Sequence, residues 1–368
     1  MITTRAAICR EPRRPWEIVD LELDEPKADE VRVKFYAAGL CHSDDHIQKG
    51  DARMRFPVVG GHEGAGVVEA VGADVTRVEV GDHVVCSFIP ACGKCRYCST
   101  GHQNLCDEGK NASTGEFADG TFRFHRDGED YGGLCVLGTF SQYAVLSEYS
   151  VIKIPDDIPF DVAALVSCGV PTGWGTAVYA AGVRPGETVV VYGAGGVGSN
   201  AVQGARYAGA KNVVVVDPVE FKRDMAKVFG ATHTFADAKE AHDFVVETTW
   251  GQLADHALIT VGILSDEVIT NAVNVVGKSG KVTITAVGPG QLDLPAGMLI
   301  GYQRRVQGAI FGACNPLYDV PRLLGLYRSG DVKLDELITR RYKLEEVNQG
   351  YQDMLDGKNI RGVIVHEH

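Results

Sequence analysis

Length, composition and charge indicate a globular chain of more than one domain. The sequence has 368 residues, of which 45% are hydrophobic and 23% are charged, and a chain of this length is expected to form two domains. Its 36 basic and 48 acidic residues give a formal charge of −12, which argues against nucleic-acid binding. No apolar run approaches the roughly 18 residues of a membrane span, and the first residues lack the apolar core of a signal peptide. We therefore expect a cytoplasmic protein without nucleic-acid or membrane partners.

The first 150 or so residues show the pattern of short strands separated by glycine and charged turns. Residues 30–37, 66–71 and 82–88 are examples. Frequent short strands of this kind predict a compact, β-barrel-like domain. The stretch 107–133 is rich in glycine, charge and aromatic residues without periodicity, and we interpret it as a long loop that could cover a cleft.

After Pro155 the pattern changes to apolar strands that alternate with helices. A helix interrupted by Pro171 and several glycines is predicted over 160–182. Strands are predicted over 188–192 and 212–216, followed by strands over 244–247, 256–261 and 281–287. This alternation predicts a parallel sheet with both faces covered. From about residue 311, a helix, a short strand and another helix lead to a strand over 362–365.

The chain contains ten cysteines, and six of them fall into two metal-site patterns. Four cysteines are spaced as ligands of one closed, structural zinc; they are Cys92, Cys95, Cys98 and Cys106. Cys41, His62 and Cys168 would supply two sulfurs and one imidazole, which leaves the fourth position of a catalytic zinc open. The remaining four, Cys9, Cys86, Cys135 and Cys314, lack metal-like spacing and are expected to be small core residues.

A glycine-rich loop follows the strand predicted over 188–192. It matches the G-x-G-x-x-G pattern of dinucleotide-binding turns and consists of Gly193, Ala194, Gly195, Gly196, Val197 and Gly198. Asp217 ends the next strand, where an acid would bond the adenosine ribose, so NAD is favoured over NADP. Lys222 could bond the ribose from the following helix or could simply be solvated.

Several segments together resemble the zinc-dependent alcohol dehydrogenases of the medium-chain dehydrogenase/reductase superfamily. They are GLCHSDDH at 39–46, GGHEGAGVV at 60–68, the four-cysteine lobe, SCGVPTGWG at 167–175, GAGGVG at 193–198 and GKNIRGVIV at 357–365. The resemblance implies an α/β protein with a β-rich, GroES-like catalytic domain over residues 1–168, including a structural zinc lobe at 90–110. A doubly wound Rossmann domain would span 169–310, and 311–368 would complete the catalytic domain.

The resemblance also implies roles for residues around the open zinc site. Glu63 is similar to an acid that lies behind the metal, although it could remain a carboxylate that never binds zinc. Asp44 is similar to the acid that orients the histidine ligand, and Ser43 and His46 are similar to a relay that removes the alcohol proton. Zinc in such a site lowers the pKa of the alcohol, and hydride then moves to the nicotinamide. Asp44 and His46 could instead be ordinary solvated residues.

Three positions refine this expectation. His42 stands where many relatives have an arginine against the pyrophosphate, so that contact should be weaker and pH-dependent. Ser43 in place of threonine removes a methyl group beside the reacting carbon, which would admit bulkier substrates. Arg361 matches a family arginine that binds the pyrophosphate, with a surface ion pair as the alternative.

Substrate and assembly are less specific in the sequence. Phe88, Val136 and Leu137 fall near positions that line the family's substrate cleft, although core packing explains them nearly as well. An apolar cleft suits primary aliphatic, allylic or aromatic alcohols. The family forms homodimers or homotetramers, and residues 292–309 lie where such an interface would be.

Three functions stay open at this point. The first is a zinc alcohol dehydrogenase, whose NAD is either exchangeable or retained. The segment 90–109 also resembles actinobacterial relatives that keep NAD tightly bound. The second is a thiol-dependent formaldehyde dehydrogenase, and the third is a catalytically silent nucleotide-binding relative. The intact set of predicted zinc ligands and relay residues argues against the third.

Overall fold

The computed structural model describes residues 1–368, which form two compact units. Unit 1 contains Met1–Cys168, Asn315–Gly330 and Leu334–His368, and unit 2 contains Gly169–Cys314 and Asp331–Lys333. None of the helices combines the length and apolar character that a membrane span requires.

Eighteen strands and eleven α-helices make up the two units. The strands are β1 (Ile2–Cys9), β2 (Glu17–Leu23), β3 (Glu30–Gly39), β4 (Val58–Val59), β5 (Gly64–Val71), β6 (His83–Cys86), β7 (Phe124–Arg126), β8 (Glu129–Gly133), β9 (Tyr143–Ser147), β10 (Val151–Lys153), β11 (Thr188–Tyr192), β12 (Asn212–Val216), β13 (His233–Phe235), β14 (Ala254–Ile259), β15 (Val276–Ile284), β16 (Arg305–Gly308), β17 (Ile338–Tyr342) and β18 (Arg361–Val365). The helices are α1 (His42–Lys49), α2 (Arg96–Ser99), α3 (Phe160–Leu165), α4 (Gly169–Gly175), α5 (Gly196–Tyr207), α6 (Glu220–Val228), α7 (Ala238–Thr248), α8 (Asp266–Val275), α9 (Ala296–Ile300), α10 (Pro316–Arg328) and α11 (Val347–Leu355).

Unit 1 is built from two β-sheets, as the frequent short strands predict. Strands β1, β2, β7, β8 and β4 close into a barrel, and a second sheet has the order β10-β6-β5-β3-β18-β17, with β9 also paired to β3. Its strands bury apolar side chains such as Val33, Phe35 and Val84 in a shared core. Because β18 lies between β3 and β17, residues from both ends of the chain complete this sheet.

Unit 2 is a six-stranded parallel sheet flanked by helices. The strand order is β13-β12-β11-β14-β15-β16, and every neighbouring pair is parallel. Strands β11 and β12 are buried along their whole length, as expected for valine-rich strands covered on both faces. The predicted α/β fold class, a β-rich domain together with a Rossmann-type sheet, is confirmed.

The structure corrects two predictions of secondary structure and agrees with the interruption predicted in a third. Residues 244–247 do not form a strand, because they lie in α7, where Ala241 and Val245 are buried one turn apart and Asp237 caps the first turn. The predicted helix over 160–182 is divided into α3, α4 and a π-helical segment at Thr176–Ala181. The stretch 107–133 contains a short 3-10 helix at Asp107–Asn111 and the hairpin of β7 and β8.

A buried ion pair holds the stretch before β7 against β3. Arg123 is 2% exposed and Glu30 is 4% exposed, and the guanidinium donates to both carboxylate oxygens, at 2.8 and 2.5 Å. The guanidinium also lies 4.2 Å from the ring centroid of Phe117. These contacts give a stretch without sequence periodicity a defined position in unit 1.

Candidate functional site

The three scattered ligands predicted for a catalytic zinc meet in unit 1. One ligand atom from each of Cys41, His62, Glu63 and Cys168 lies within 4.8 Å of all the others. Cys41 immediately precedes α1 and makes no capping hydrogen bond with its side chain, so its sulfur is available to the cluster. His62 and Glu63 lie directly before β5.

A hydroxyl group fixes the segment that carries Cys168. Ser167 Oγ accepts from the backbone N–H of Gly64 at 3.0 Å and donates to the carbonyl of Gly64 at 3.1 Å. This pair of bonds ties the residue before Cys168 to the start of β5, next to His62 and Glu63. Residues distant in sequence are thereby brought to one point.

Electrostatics in the cluster favour charge on Cys41 and His62, whereas the hydrogen bond with Cys41 and burial raise the pKa of Cys168 well above its usual range. The pKa of Cys41 lies well below its usual range, mainly because of the hydrogen bond with Cys168 and further because of His62. Burial opposes charge on His62, but Asp44 and Cys41 outweigh it and raise the pKa of His62 well above its usual range. Two thiols and one imidazole, buried together, form a donor set that fits zinc.

Asp44 lies behind the histidine of this cluster. Its Oδ2 is 3.2 Å from His62 Nδ1, and its Oδ1 accepts from the N–H of Gly61 at 2.9 Å. Asp44 is 0% exposed, so the alternative of a solvated aspartate is wrong. A carboxylate on Nδ1 leaves Nε2 for the metal, which is the usual arrangement of histidine ligands.

Glu63 and Arg361 form a buried ion pair beside the same cluster. Arg361 Nη2 donates to Glu63 Oε2, and the side chains are 5% and 0% exposed. Burial raises the pKa of Glu63 to about 7, although Arg361 acts in the opposite direction. Glu63 Oε1 has no protein partner. The predicted alternative of a surface ion pair for Arg361 is therefore wrong, while its contact with pyrophosphate stays a prediction.

Ser43 and His46 lie on α1, as does His42. Ser43 Oγ is 3.6 Å from Cys41 Sγ, and His46 is 3% exposed with Nδ1 3.2 Å from Asp51 Oδ2. The alternative of a solvated loop histidine is therefore wrong. Because the Asp51 side chain is 54% exposed, Asp51 connects the buried His46 ring to solvent. His42 is half-buried at the first position of α1.

The other four predicted zinc ligands form a second cluster, around α2. The sulfurs of Cys92, Cys95, Cys98 and Cys106 all lie within 4.8 Å of one another. Backbone N–H groups point at the sulfurs, with Cys95 N to Cys92 Sγ at 3.3 Å and Cys98 N to Cys95 Sγ at 3.4 Å. Hydrogen bonds from the N–H groups of Asp107 and Cys98 lower the pKa of Cys95 to about 6. Four sulfurs leave no open position, as in a structural zinc site.

The glycine loop of unit 2 connects β11 to α5. Gly193 has a φ of +92°, and a Cβ there would lie 2.8 Å from the Cα of Val261. A Cβ at Gly198 would collide with the carbonyl of Gly193. A Cβ at Gly195 would instead project into open space, which is where a pyrophosphate would approach the backbone at the helix N-terminus. Gly196 and Val197 begin α5.

Asp217 follows β12 and holds this loop. Its Oδ2 accepts from the N–H of Ala194 at 2.8 Å, and its Oδ1 accepts from the N–H of Val219 at 2.9 Å. Each carboxylate oxygen has a second acceptor position, so Asp217 can still bind ribose hydroxyls. Lys222 is half-buried on α6.

A cavity of about 170 Å³ in unit 1 lies beside Phe88; none of the predicted zinc ligands lines it, and its wall includes charged side chains such as Glu30 and Glu108. Phe88, Val136 and Cys135 line it, and the Phe88 ring packs edge-on against His62 with centroids 5.8 Å apart. Leu137 is 0% exposed in the core, so core packing, the alternative to a place in the cleft, applies to it. Cys9, Cys86 and Cys314 are buried as predicted, whereas Cys135 is only half-buried.

Sequence reasoning missed three residues that support these sites. Asp51 contacts His46, and Ser167 anchors the segment of Cys168. Arg223 donates to the carbonyls of Asp217 and Pro218, both at 2.8 Å. Asp51 directly follows the glycine that ends α1, which is a usable signal, whereas the hydrogen bonds of Ser167 and Arg223 depend on tertiary structure.

Comparisons with known proteins agree with the fold and identify the family. Residues 27–156 match the alcohol dehydrogenase GroES-like domain, and residues 196–328 match the zinc-binding dehydrogenase family. The chain is 58% identical to an NDMA-dependent alcohol dehydrogenase of Amycolatopsis methanolica over 99% of both chains. It is 57% identical to a putative alcohol dehydrogenase D of Mycobacterium tuberculosis strain H37Rv, over 99% of this chain and 100% of the relative. The crystal structure of benzyl alcohol dehydrogenase from Acinetobacter calcoaceticus is similar with a TM-score of 0.92, 30% identity and full coverage of both chains.

Fold and ligand sets together define a zinc-binding dehydrogenase. The chain belongs to the zinc-dependent alcohol dehydrogenases of the medium-chain dehydrogenase/reductase superfamily. It is an oxidoreductase, and its cofactors are zinc and NAD.

Proposed function

We propose that this alcohol dehydrogenase oxidises primary alcohols to aldehydes at a zinc held by Cys41, His62 and Cys168. The observation that carries the proposal is the buried cluster of these ligands. With Glu63 paired to Arg361, the three ligands would leave one position of a tetrahedral zinc open to substrate. Zinc supplies a Lewis acid there and NAD supplies a hydride acceptor. Asp44 holds the His62 ring in the orientation that presents Nε2.

The proton of the alcohol leaves through residues of α1. Ser43 lies beside Cys41 and accepts the proton, and His46 delivers it towards solvent. His46 suits this step because an imidazole can accept a proton on one ring nitrogen and donate one from the other. The exposed carboxylate of Asp51 next to His46 provides the last acceptor before bulk water.

Cofactor binding is assigned to the glycine loop and to the residues that the family resemblance implies. Gly193, Gly195, Gly196, Val197 and Gly198 would hold the pyrophosphate, assisted by His42 and Arg361. Asp217 and Lys222 would bind the adenosine ribose. The open space at Gly195 supports this assignment, because a phosphate group can approach the backbone closely only where no side chain intervenes.

Aromatic alcohols are the proposed substrate class, with the Phe88 ring beside His62 as the aromatic contact. Phe88 belongs both to the cavity wall and to the surroundings of His62. The similar structure from Acinetobacter calcoaceticus is named a benzyl alcohol dehydrogenase, which is consistent with an aryl group beside Phe88.

The retained-cofactor mode is proposed over free exchange of NAD. The relative from Amycolatopsis methanolica is named NDMA-dependent, so this chain should also turn over with NDMA as an added acceptor that reoxidises the bound cofactor. The thiol-dependent alternative predicts activity on formaldehyde only when a thiol is present. Assays of benzyl alcohol with NDMA, and of formaldehyde with and without thiol, separate these alternatives.

Assembly into a homodimer or homotetramer is part of the proposal. Strand β16 is at the edge of the unit 2 sheet, and the nearby side chains of Leu292, Ile300 and Tyr302 are 53%, 80% and 46% exposed. Exposed apolar side chains next to an open strand edge favour association with a second copy.

Two measurements test the zinc mechanism directly. The purified protein should contain about two zinc ions per chain, and Cys41→Ser should lose one of them together with alcohol turnover. Cys86→Ala is the matched control, because Cys86 is a buried thiol of the same unit outside both clusters. Turnover by Cys41→Ser equal to that of the control would show the mechanism to be wrong.

The cofactor mode is tested by denaturing extensively dialysed protein. Release of about one NAD(H) per chain is the expected result. Recovery of less than a tenth of that amount would show that NAD exchanges freely, without affecting the zinc mechanism.

A further inference from the structure

We propose that unit 2 carries a second anion site, for a phosphate group, at the end of its sheet opposite the glycine loop. The site is a cavity of about 250 Å³ at the amino ends of β11, β14 and β15. Four cationic side chains line it, namely Arg184, Lys278, Lys281 and Arg305. It is separate from the zinc-ligand clusters of unit 1 and from the loop after β11.

Sheet register aligns three of the lining residues. His256 of β14 is paired with Lys281 of β15, and Lys281 is paired with Arg305 of β16. Side chains in register on neighbouring strands project from the same face, with Cβ atoms about 5 Å apart. A lysine and an arginine are therefore neighbours with like charge on one face of the sheet, and an anion between them would reduce their repulsion.

The carboxylates in the cavity wall are already engaged elsewhere. Glu187 Oε2 lies 2.9 Å from His256 Nε2 and accepts from the N–H of Arg184 at 2.6 Å. Asp255 Oδ2 accepts from the N–H of Thr188 at 2.8 Å. With His256 neutral, four cations and two carboxylates give the cavity wall a net charge of +2.

The cations themselves contact only uncharged acceptors. Lys281 Nζ donates to the carbonyl of Ala181, and Arg305 Nη2 donates to the carbonyl of Ser279 at 3.4 Å. No carboxylate oxygen comes within 4 Å of the side-chain nitrogens of Arg184, Lys278, Lys281 or Arg305. Burial lowers the pKa of Lys281, and the charge of Arg305 lowers it further. The four cations can therefore still bind an anion. They form a positive cluster although the whole chain has a formal charge of −12.

A phosphate group matches this chemistry. Guanidinium groups bind phosphate oxygens with two parallel N–H donors, and ammonium groups add point charges. The cavity is far larger than the roughly 15 Å³ that a single water requires, so a phosphate and several waters fit. The shared chemistry covers inorganic phosphate and the phosphate of a small ester.

The experiment is a calorimetric titration of the full-length, zinc-loaded protein with inorganic phosphate. NAD is present at saturation, so that the glycine loop is occupied, and sodium chloride of matched ionic strength serves as the reference. The test variant combines Lys278→Gln with Arg305→Gln, because both side chains are exposed and their loss should leave the fold intact. The control combines Arg53→Gln with Lys239→Gln, two exposed cations outside the cavity.

Wild-type and control proteins should bind about one phosphate per chain, and the test variant should bind it at least tenfold more weakly. A repeat titration with a small phosphate monoester shows whether an ester is preferred over free phosphate. Equal heats for phosphate and chloride, or equal weakening in the test and control variants, would overturn the proposal. So would a wild-type oligomer that binds no phosphate and dissociates in the test variant, because a second copy would then fill the cavity.

Discussion

The buried Glu63–Arg361 pair offers the sharpest test of how the zinc-ligand cluster is supported. Replacing Arg361 by methionine gives a long side chain without the charge and leaves the Glu63 carboxylate without its cation. The two side chains are 0% and 5% exposed, so solvent cannot compensate, and removing one partner of such a pair costs about 3–5 kcal/mol. Replacing both residues, with Glu63→Gln and Arg361→Met, removes both charges and should be milder by about 2 kcal/mol or more.

The assay is urea denaturation of the four zinc-loaded proteins of this double-mutant cycle, namely wild type, the two single variants and the double variant. Midpoints and slopes together give the free energy of unfolding. We expect the double variant to be more stable than Arg361→Met alone. If the two effects simply add, the pair does not act through charge compensation and the reasoning is refuted. A Lys227→Met variant, which breaks an exposed ion pair with Asp224, should change the stability by less than about 1 kcal/mol and serves as the control.

Three further predictions concern pH, the relay and the cofactor loop. Burial lowers the pKa of His366 from 6.5 to about 4. As the pH falls from 6.5 towards 4, the unfolded chain is protonated at this position before the folded chain is, so the folded state loses stability. In urea denaturation, the free energy of unfolding should fall by about 2 kcal/mol between pH 7 and pH 5, and His366→Gln should lack this loss. Equal losses in wild type and variant would contradict the prediction. Asp51→Asn should lower kcat for alcohol oxidation about tenfold with little change in KM, and an unchanged kcat would remove Asp51 from the proton path. Gly195→Val should weaken NAD binding at least tenfold in fluorescence titrations without lowering stability, since Gly195 has a φ of −75° that valine can adopt; unchanged affinity would place the pyrophosphate elsewhere.

Local sequence signals are sufficient to predict those elements and sites in which one type of interaction dominates. The strands over 188–192 and 212–216 are found with the predicted bounds, because uninterrupted runs of β-branched residues between turns have few alternatives. The zinc ligands were recognisable for a similar reason, since sulfur and imidazole groups in metal-ligand patterns are uncommon in a core without a metal. Their clustering in space agrees with the pattern.

Tertiary contacts decided what the sequence could not show. The segment 244–247 looks like a strand in isolation, yet the cap at Asp237 and the burial of Val245 place it in a helix. The position of the stretch 107–133 cannot be predicted from periodicity, because it depends on the contact between Arg123 and its distant partner Glu30. Leu137 could line a cleft or a core on hydrophobicity alone, and only packing against its neighbours assigns it to the core.

The place of β18 in the unit 1 sheet sets an order for folding during synthesis. Strand β18 is inserted between β3 and β17, and it supplies Arg361, the partner of Glu63. Nearly all of unit 2 is contiguous, from Gly169 to Cys314, so it can fold while the ribosome still holds the last strand. The sheet around the zinc ligands must wait for release of that strand, and the nascent enzyme should therefore gain its cofactor loop before its metal centre is complete.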